Sequence, residues 1–103
     1  MRFLIRATIP IDAGNALMRD PQMGKKMEAI MAELKPEAAY FTIESGQRTM
    51  YLVVNATDAS QFPRLAEPLW LSFEADVEVL PVMTQEDLGK AMATMGETVR
   101  KFG

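Results

Sequence analysis

Between Glu37 and Ala56 the chain reads EAAYFTIESGQRTMYLVVNA. Two runs rich in β-branched and aromatic residues flank Ser45-Gly46, the pattern of an antiparallel hairpin closed by a two-residue turn. With that turn, Glu44 faces Gln47, Thr42 faces Thr49, Phe41 faces Met50, Tyr40 faces Tyr51 and Ala39 faces Leu52. Successive side chains point to opposite sides of a strand. Phe41, Ile43, Met50 and Leu52 therefore share an apolar face expected to take the helices. Tyr40, Thr42, Thr49, Tyr51 and Val53 share the other. Ser-Gly is a weaker turn signal than Asn-Gly, and a longer loop would shift the register.

The remaining segments fall into place around this hairpin. Arg2 to Ile9 alternates, with Phe3, Ile5, Ala7 and Ile9 on one side and Arg2, Leu4, Arg6 and Thr8 on the other, so it reads as a strand that Pro10 closes. Asp12 caps a short helical turn through Met18. Asp20-Pro21 restarts a helix whose apolar stripe is Met23, Met27, Ile30, Met31 and Leu34, and Pro36 forbids its continuation. Asp58 to Trp70 is a shorter helix with Phe62, Leu65, Ala66 and Leu69 buried, and Asp58 with Gln61 resembles a capping box. Ala75 to Met83 is a fourth strand that Pro81 confines to a sheet edge. Thr84 caps one long final helix, with Asp87 three residues on. The order β-α-β-β-α-β plus a C-terminal helix is the ferredoxin-like arrangement, an α+β fold. Right-handed crossovers give a four-stranded antiparallel sheet in the order 4-1-3-2, helices on one side. At 103 residues this is one domain, spanning 1–103.

Composition removes several function classes. The chain has no cysteine and no histidine. It thus lacks a disulfide framework, a thiolate nucleophile, the usual general base near neutral pH and the commonest metal ligand. No metal site and no cofactor are expected. The net charge is −3, and no Lys/Arg run exceeds two residues, which disfavours a nucleic-acid partner. The opening MRFLIRATIP carries Arg2 and Arg6 without a long apolar run, so neither a signal peptide nor a membrane span is expected, and a cytoplasmic location is the default.

The element order, the final helix and the stretch AEPLWLSFEADVEVLPVMT resemble the dimeric α+β-barrel superfamily. Within it, the chain is similar to a bacterial branch with a helix ending in Pro-x-Trp, here Pro68-Leu69-Trp70, and a strand ending in Pro-Val, here Pro81-Val82. The resemblance implies two sheets packed face to face in a homodimer. Members include cofactor-free monooxygenases, isomerases and haem enzymes. The haem-binding and many catalytic members use a histidine, which this chain does not have, so no catalytic residue is carried over.

The open sheet face holds the candidate site. Arg6, Tyr40, Thr42, Thr49, Tyr51 and Glu78 are the candidate ligand-binding residues. Arg6, in mid-strand, needs a partner; it anchors an anion or carboxylate, or it forms a structural pair with Glu78 or Asp76. Tyr40 and Tyr51 orient a ligand or donate a proton, or they are a packed cross-strand pair. Arg48, at the start of its strand, is expected to be solvated. Met23, Met27 and Met31 with Met92 and Met95 form a deformable pocket wall or simply core; Trp70 caps a cavity or packs. A face mixing Tyr, Thr, Leu and Val with charge suits burial against a partner, with a small hydrophobic or anionic ligand inside; the alternative is a solvated open sheet. The favoured function is a small dimeric ligand-binding or assembly module without evident catalytic machinery. The alternative is a cofactor-independent monooxygenase or isomerase acting on a small hydrophobic carbonyl or phenolic compound. On the final helix, Leu88, Met92, Met95, Val99 and Phe102 form a heptad-like seam beside Gly89, Ala93 and Gly96, to be covered by the chain's own helices or by a partner.

Overall fold

A computed structural model describes all residues, 1–103. Its elements run β1 Arg2–Ile9, α1 Ile11–Arg19, α2 Met23–Leu34, β2 Ala38–Glu44, β3 Gln47–Asn55, a 3-10 turn Ala59–Gln61, α3 Phe62–Phe73, β4 Asp76–Pro81, α4 Gln85–Met92 and α5 Met95–Phe102. The four strands form one antiparallel sheet in the order β2-β3-β1-β4, with β1 and β3 central. Read from β4, this is the expected sequence of neighbours. The hairpin register is also as expected, Glu44 opposite Gln47 through Ala39 opposite Leu52. Ser45 and Gly46 both have positive φ, 52° and 76°, as a primed two-residue turn requires.

One side of the sheet is core. Phe3, Ile5, Ala7 and Ile9 of β1 and Met50, Leu52 and Val54 of β3 are buried with Leu17, Ile30, Leu34, Leu65, Leu69 and Phe73 from α1, α2 and α3. Each fully buried Leu, Ile or Phe contributes about 1.5–3 kcal/mol of transfer free energy, so this side dominates the stability of the sheet. Pro68 sits inside α3 without ending it, and the helix continues three residues beyond the expected Trp70. Both α2 and α3 stop on non-glycine residues in the left-handed region, Lys35 and Glu74.

Several local expectations are corrected. Phe41 and Ile43 do not take the helices: they are 59% and 77% exposed, because β2 is an edge strand and the hydrophobic cluster centres on β1 and β3. Arg48 is not simply solvated. Its guanidinium donates to Asn15 Oδ1 at 3.1 Å, and its stem lies so close to Gly14 of α1 that a Cβ there would stand 2.5 Å from Nη1. Asp20 does not sit directly at the start of α2. It accepts from Gln22 N at 2.8 Å in the turn before the helix and pairs with Lys26 at 2.7 Å. Asp58 does not share a capping box with Gln61: it accepts from Ser60 N, while Gln61 Oε1 accepts from Thr57 N.

The largest departure is at the C-terminal end. The expected long helix is two eight-residue helices, α4 and α5, broken at Ala93-Thr94. Thr94 turns its hydroxyl back onto Ala91 O at 2.9 Å, a local bond that competes with helix continuation, and Gly96 follows two residues later. The Thr84–Asp87 capping box at the start of α4 is present. Neither helix has a buried residue. Met92 and Met95 accordingly lie away from Met23, Met27 and Met31, which pack on the core. The two helices form an arm, and the chain extends 59 × 28 × 20 Å with a radius of gyration of 17.2 Å, against about 13 Å for a compact domain of this length.

Candidate functional site on the open sheet face

Strand register arranges the open face in rows across the sheet. Ala38, Val53, Leu4 and Leu80 form an apolar row. Beside it runs Tyr40, Tyr51, Arg6 and Glu78, and next to that Thr42, Thr49, Thr8 and Asp76. Glu44 and Gln47 close the hairpin end, and Arg2 opposite Asn55 closes the other end of the β1–β3 pair.

The second row holds a connected network. Arg6 Nη1 donates to Glu44 Oε2 at 2.6 Å, and Arg6 Nη2 donates to Glu78 Oε1 at 2.7 Å. The Tyr51 hydroxyl donates to the other oxygen of Glu44. One guanidinium thus faces two carboxylates, leaving a formal charge of −1 within the cluster. The hydrogen bond from Tyr51, then the one from Arg6, holds the Glu44 carboxyl below its usual range. Tyr51 is pushed above the ordinary phenol value, first by that same bond to Glu44 and then by burial. Arg6 is raised further by its bonds to Glu44 and Glu78. A second, smaller group lies at the far end, where Glu37 accepts from Arg2 Nε at 3.1 Å and from Asn55 Nδ2, and its carboxyl is lowered by Asn55 and then Arg2.

The six candidate residues are not brought together equally. Arg6, Tyr51 and Glu78 meet in the network. Thr49 lies in the next row and is 2% exposed, its Oγ1 donating to Gln47 O at 3.1 Å. Tyr40 and Thr42 stand exposed on edge strand β2. Asp76, the other partner considered for Arg6, stays exposed and outside the network. The residue sequence reasoning overlooked is Glu44. Alternation along β2 already put residues 40, 42 and 44 on one face. What was missed is diagonal reach, since a Glu at the hairpin end spans to Tyr51 and to Arg6 two strands away.

Two carboxylates and a guanidinium that satisfy one another make a poor metal site, and no third His, Cys, Asp or Glu joins them. No helix is long and apolar enough to cross a membrane.

Fold and face together define a class: a small α+β protein with one antiparallel sheet, helices on one side and a charge–phenol network on the uncovered side. Over residues 1–96 the chain matches the family described as Domain of unknown function (DUF3303), and it belongs to that family. Among curated proteins nothing matches it.

Proposed function

We propose that the chain is a homodimeric small-molecule-binding module, a single ferredoxin-like domain over 1–103 that pairs as a dimeric α+β barrel with its open sheet faces turned toward each other. The observation that carries this reading is the uncovered face itself. Its Ala38–Val53–Leu4–Leu80 row is apolar across the whole sheet, and no helix of the chain folds over it. Single sheets with one bare face of this kind are stabilised by a second layer. Two such faces would enclose the Tyr40–Tyr51–Arg6–Glu78 rows of both copies.

The charge of the network speaks to the ligand. Arg6 is already committed to Glu44 and Glu78, so a free carboxylate would compete with two intramolecular partners. A compound with an apolar body and a hydrogen-bond donor or positive group fits better. The network also weighs toward binding over a cofactor-independent monooxygenase or isomerase. A general base near neutral pH needs a lowered phenol pKa, and Tyr51 is shifted the other way.

Light scattering at micromolar concentration tests the assembly, with twice 11.5 kDa expected. A mass of 11.5 kDa at every concentration sinks the reading. Thermal shift against small amines, phenols and carboxylates, repeated on Tyr51→Phe and Arg6→Met, tests the ligand class. The amines or phenols should stabilise the parent chain and lose that effect in the variants.

A further inference from the structure

From the arm and a groove on the opposite side of the sheet, we infer that α4–α5 of one copy docks between α3 and edge strand β4 of a second copy. This rests on the reading that the chain self-associates, but it uses a different surface from the open sheet face.

Three observations carry it. First, the arm has an apolar seam with nothing to cover it. Val99 is 63% exposed and Phe102 86%, with Leu88 and Met92 exposed on α4. Helices of eight residues without tertiary contacts are marginal in water, so burial of this seam has to hold the arm together. Second, the arm does not fold back onto its own body: only its first turn approaches it, with Asp87 beside Met1 and Arg2, and no residue of α4 or α5 is buried. Val82 N still donates to Arg2 O at 3.1 Å, continuing the sheet, and Thr84 already accepts from Asp87 N at 3.1 Å in the capping box. Only Met83 lies between these two fixed points. The short link leaves little chain for a reversal, and the 59 Å long axis has the arm directed away from its own subunit.

Third, the chain offers a receptor of matching chemistry. Phe62, Ala66 and Trp70 of α3 and Val77 and Val79 of β4 line a groove of about 380 Å3, which continues past Phe62 into a second of about 390 Å3 at Phe3 and Pro81. Phe62 and Trp70 are exposed there. The rim is acidic, with Glu67 and Asp58 on the lining. Glu67 has no ion-pair partner, and α5 carries Arg100 and Lys101 in its last turn against one Glu97. Basic helix end and acidic rim are complementary. The two eight-residue helices of the arm are each about 12 Å long at 1.5 Å per residue, and a stripe about 10 Å wide along both covers about 240 Å2 on each surface. Two reciprocal arms bury about 1,000 Å2, the lower bound for a specific interface. Docking also covers the free edge of β4, which would otherwise be a site for unwanted strand pairing.

The test uses the full chain. Copies grown in 14N and in 15N are unfolded together, refolded and treated with a carbodiimide, which joins lysine amines directly to carboxylates. Mass spectrometry should find Lys101 joined to Glu67 or Asp58 in peptides of mixed isotope. Links of a single isotope only, meaning closure onto the same copy, overturn the inference, as do links from Lys101 to the open-face carboxylates or no links at all. Val99→Asp and Phe102→Asp alter exposed side chains, so the body stays folded. Each should raise the dimer dissociation constant at least tenfold, and an unchanged constant counts against docking. Exchanging the charges, Glu67→Lys with Lys101→Glu, should restore association that either change alone weakens. A stable dimer lacking arm links refutes the arm while leaving the sheet-face reading standing. Persistent arm links in a chain whose dimer survives Leu80→Glu refute the sheet-face reading and leave the arm.

Discussion

Leu52→Ala separates the two faces of the sheet most sharply. Leu52 is 0% exposed, on central strand β3, opposite Ile5 on one side and Ala39 on the other. Shortening a buried Leu to Ala costs about 2–5 kcal/mol, with the larger values where the surroundings cannot collapse. Here the cavity floor is a hydrogen-bonded sheet and its roof is the helical layer, so about 3 kcal/mol is expected. For a domain of this size each kcal/mol moves the melting temperature by roughly 4–8 °C, giving a drop of about 12–24 °C. In urea the midpoint should fall by about 1–3 M with the slope unchanged. Leu80→Ala is the companion. Leu80 lies on the open face and is 47% exposed, so its truncation should cost about 1 kcal/mol or less in dilute solution. If two sheet faces meet, that cost grows with protein concentration, whereas the cost of Leu52→Ala is intrinsic to the fold. Differential scanning calorimetry at two concentrations, with urea titrations, reads both. A Leu52→Ala cost under about 1 kcal/mol, or one equal to that of Leu80→Ala, would refute the assignment of core and open sides.

Tyr51→Phe should flatten the pH dependence of stability at both ends. Tyr51 has a raised folded-state pKa, so its contribution is fully present below the ordinary phenol value of 10.0 and lost as pH rises through the folded value; the lowered Glu44 contributes above 4.5 and loses that contribution as pH falls through its folded value. Urea midpoints from acid to alkali, parent against variant, check this, and parallel curves would show the hydrogen bond to be energetically silent. Gly14→Ala would ordinarily add about 1 kcal/mol to a helix interior, but its Cβ displaces Arg48 from Asn15. That gain should therefore appear only when Arg48→Met is also present, a non-additivity that a double-mutant cycle measures.

The strands were legible because period two is a local signal: Phe3 through Ile9 and the Tyr40–Tyr51 pairing follow from alternation and one turn. The grouping of the candidate residues was legible in part for the same reason, since alternation placed Arg6, Tyr51 and Glu78 on one face. Glu44 escaped because its partners are chosen by side-chain length across two strands, which no one-strand pattern encodes. Phe41 and Ile43 looked like core because alternation identifies faces and says nothing about how far a helix reaches along an edge. The break at Thr94 competes with a seam that reads as continuous. Helical spacing persists through it, while the back-bond to Ala91 decides the geometry.

The outer edge of β2 has a consequence for how this chain fails. Its unpaired backbone runs from Ala38 to Glu44 without a proline, beside exposed Phe41 and Ile43, while β4 at the other edge carries Pro81. The negative charges flanking that segment are Glu37 and Glu44. Both hold depressed carboxyl pKa values, so their charge survives mild acid. Stronger acid removes it, and the same protonation that loosens the Arg6 and Arg2 groups also strips the segment of its electrostatic guards. Unfolding and strand-to-strand association at this edge are therefore expected to respond to the same titration. Turbidity and circular dichroism followed together through an acid titration would then be expected to change over the same range.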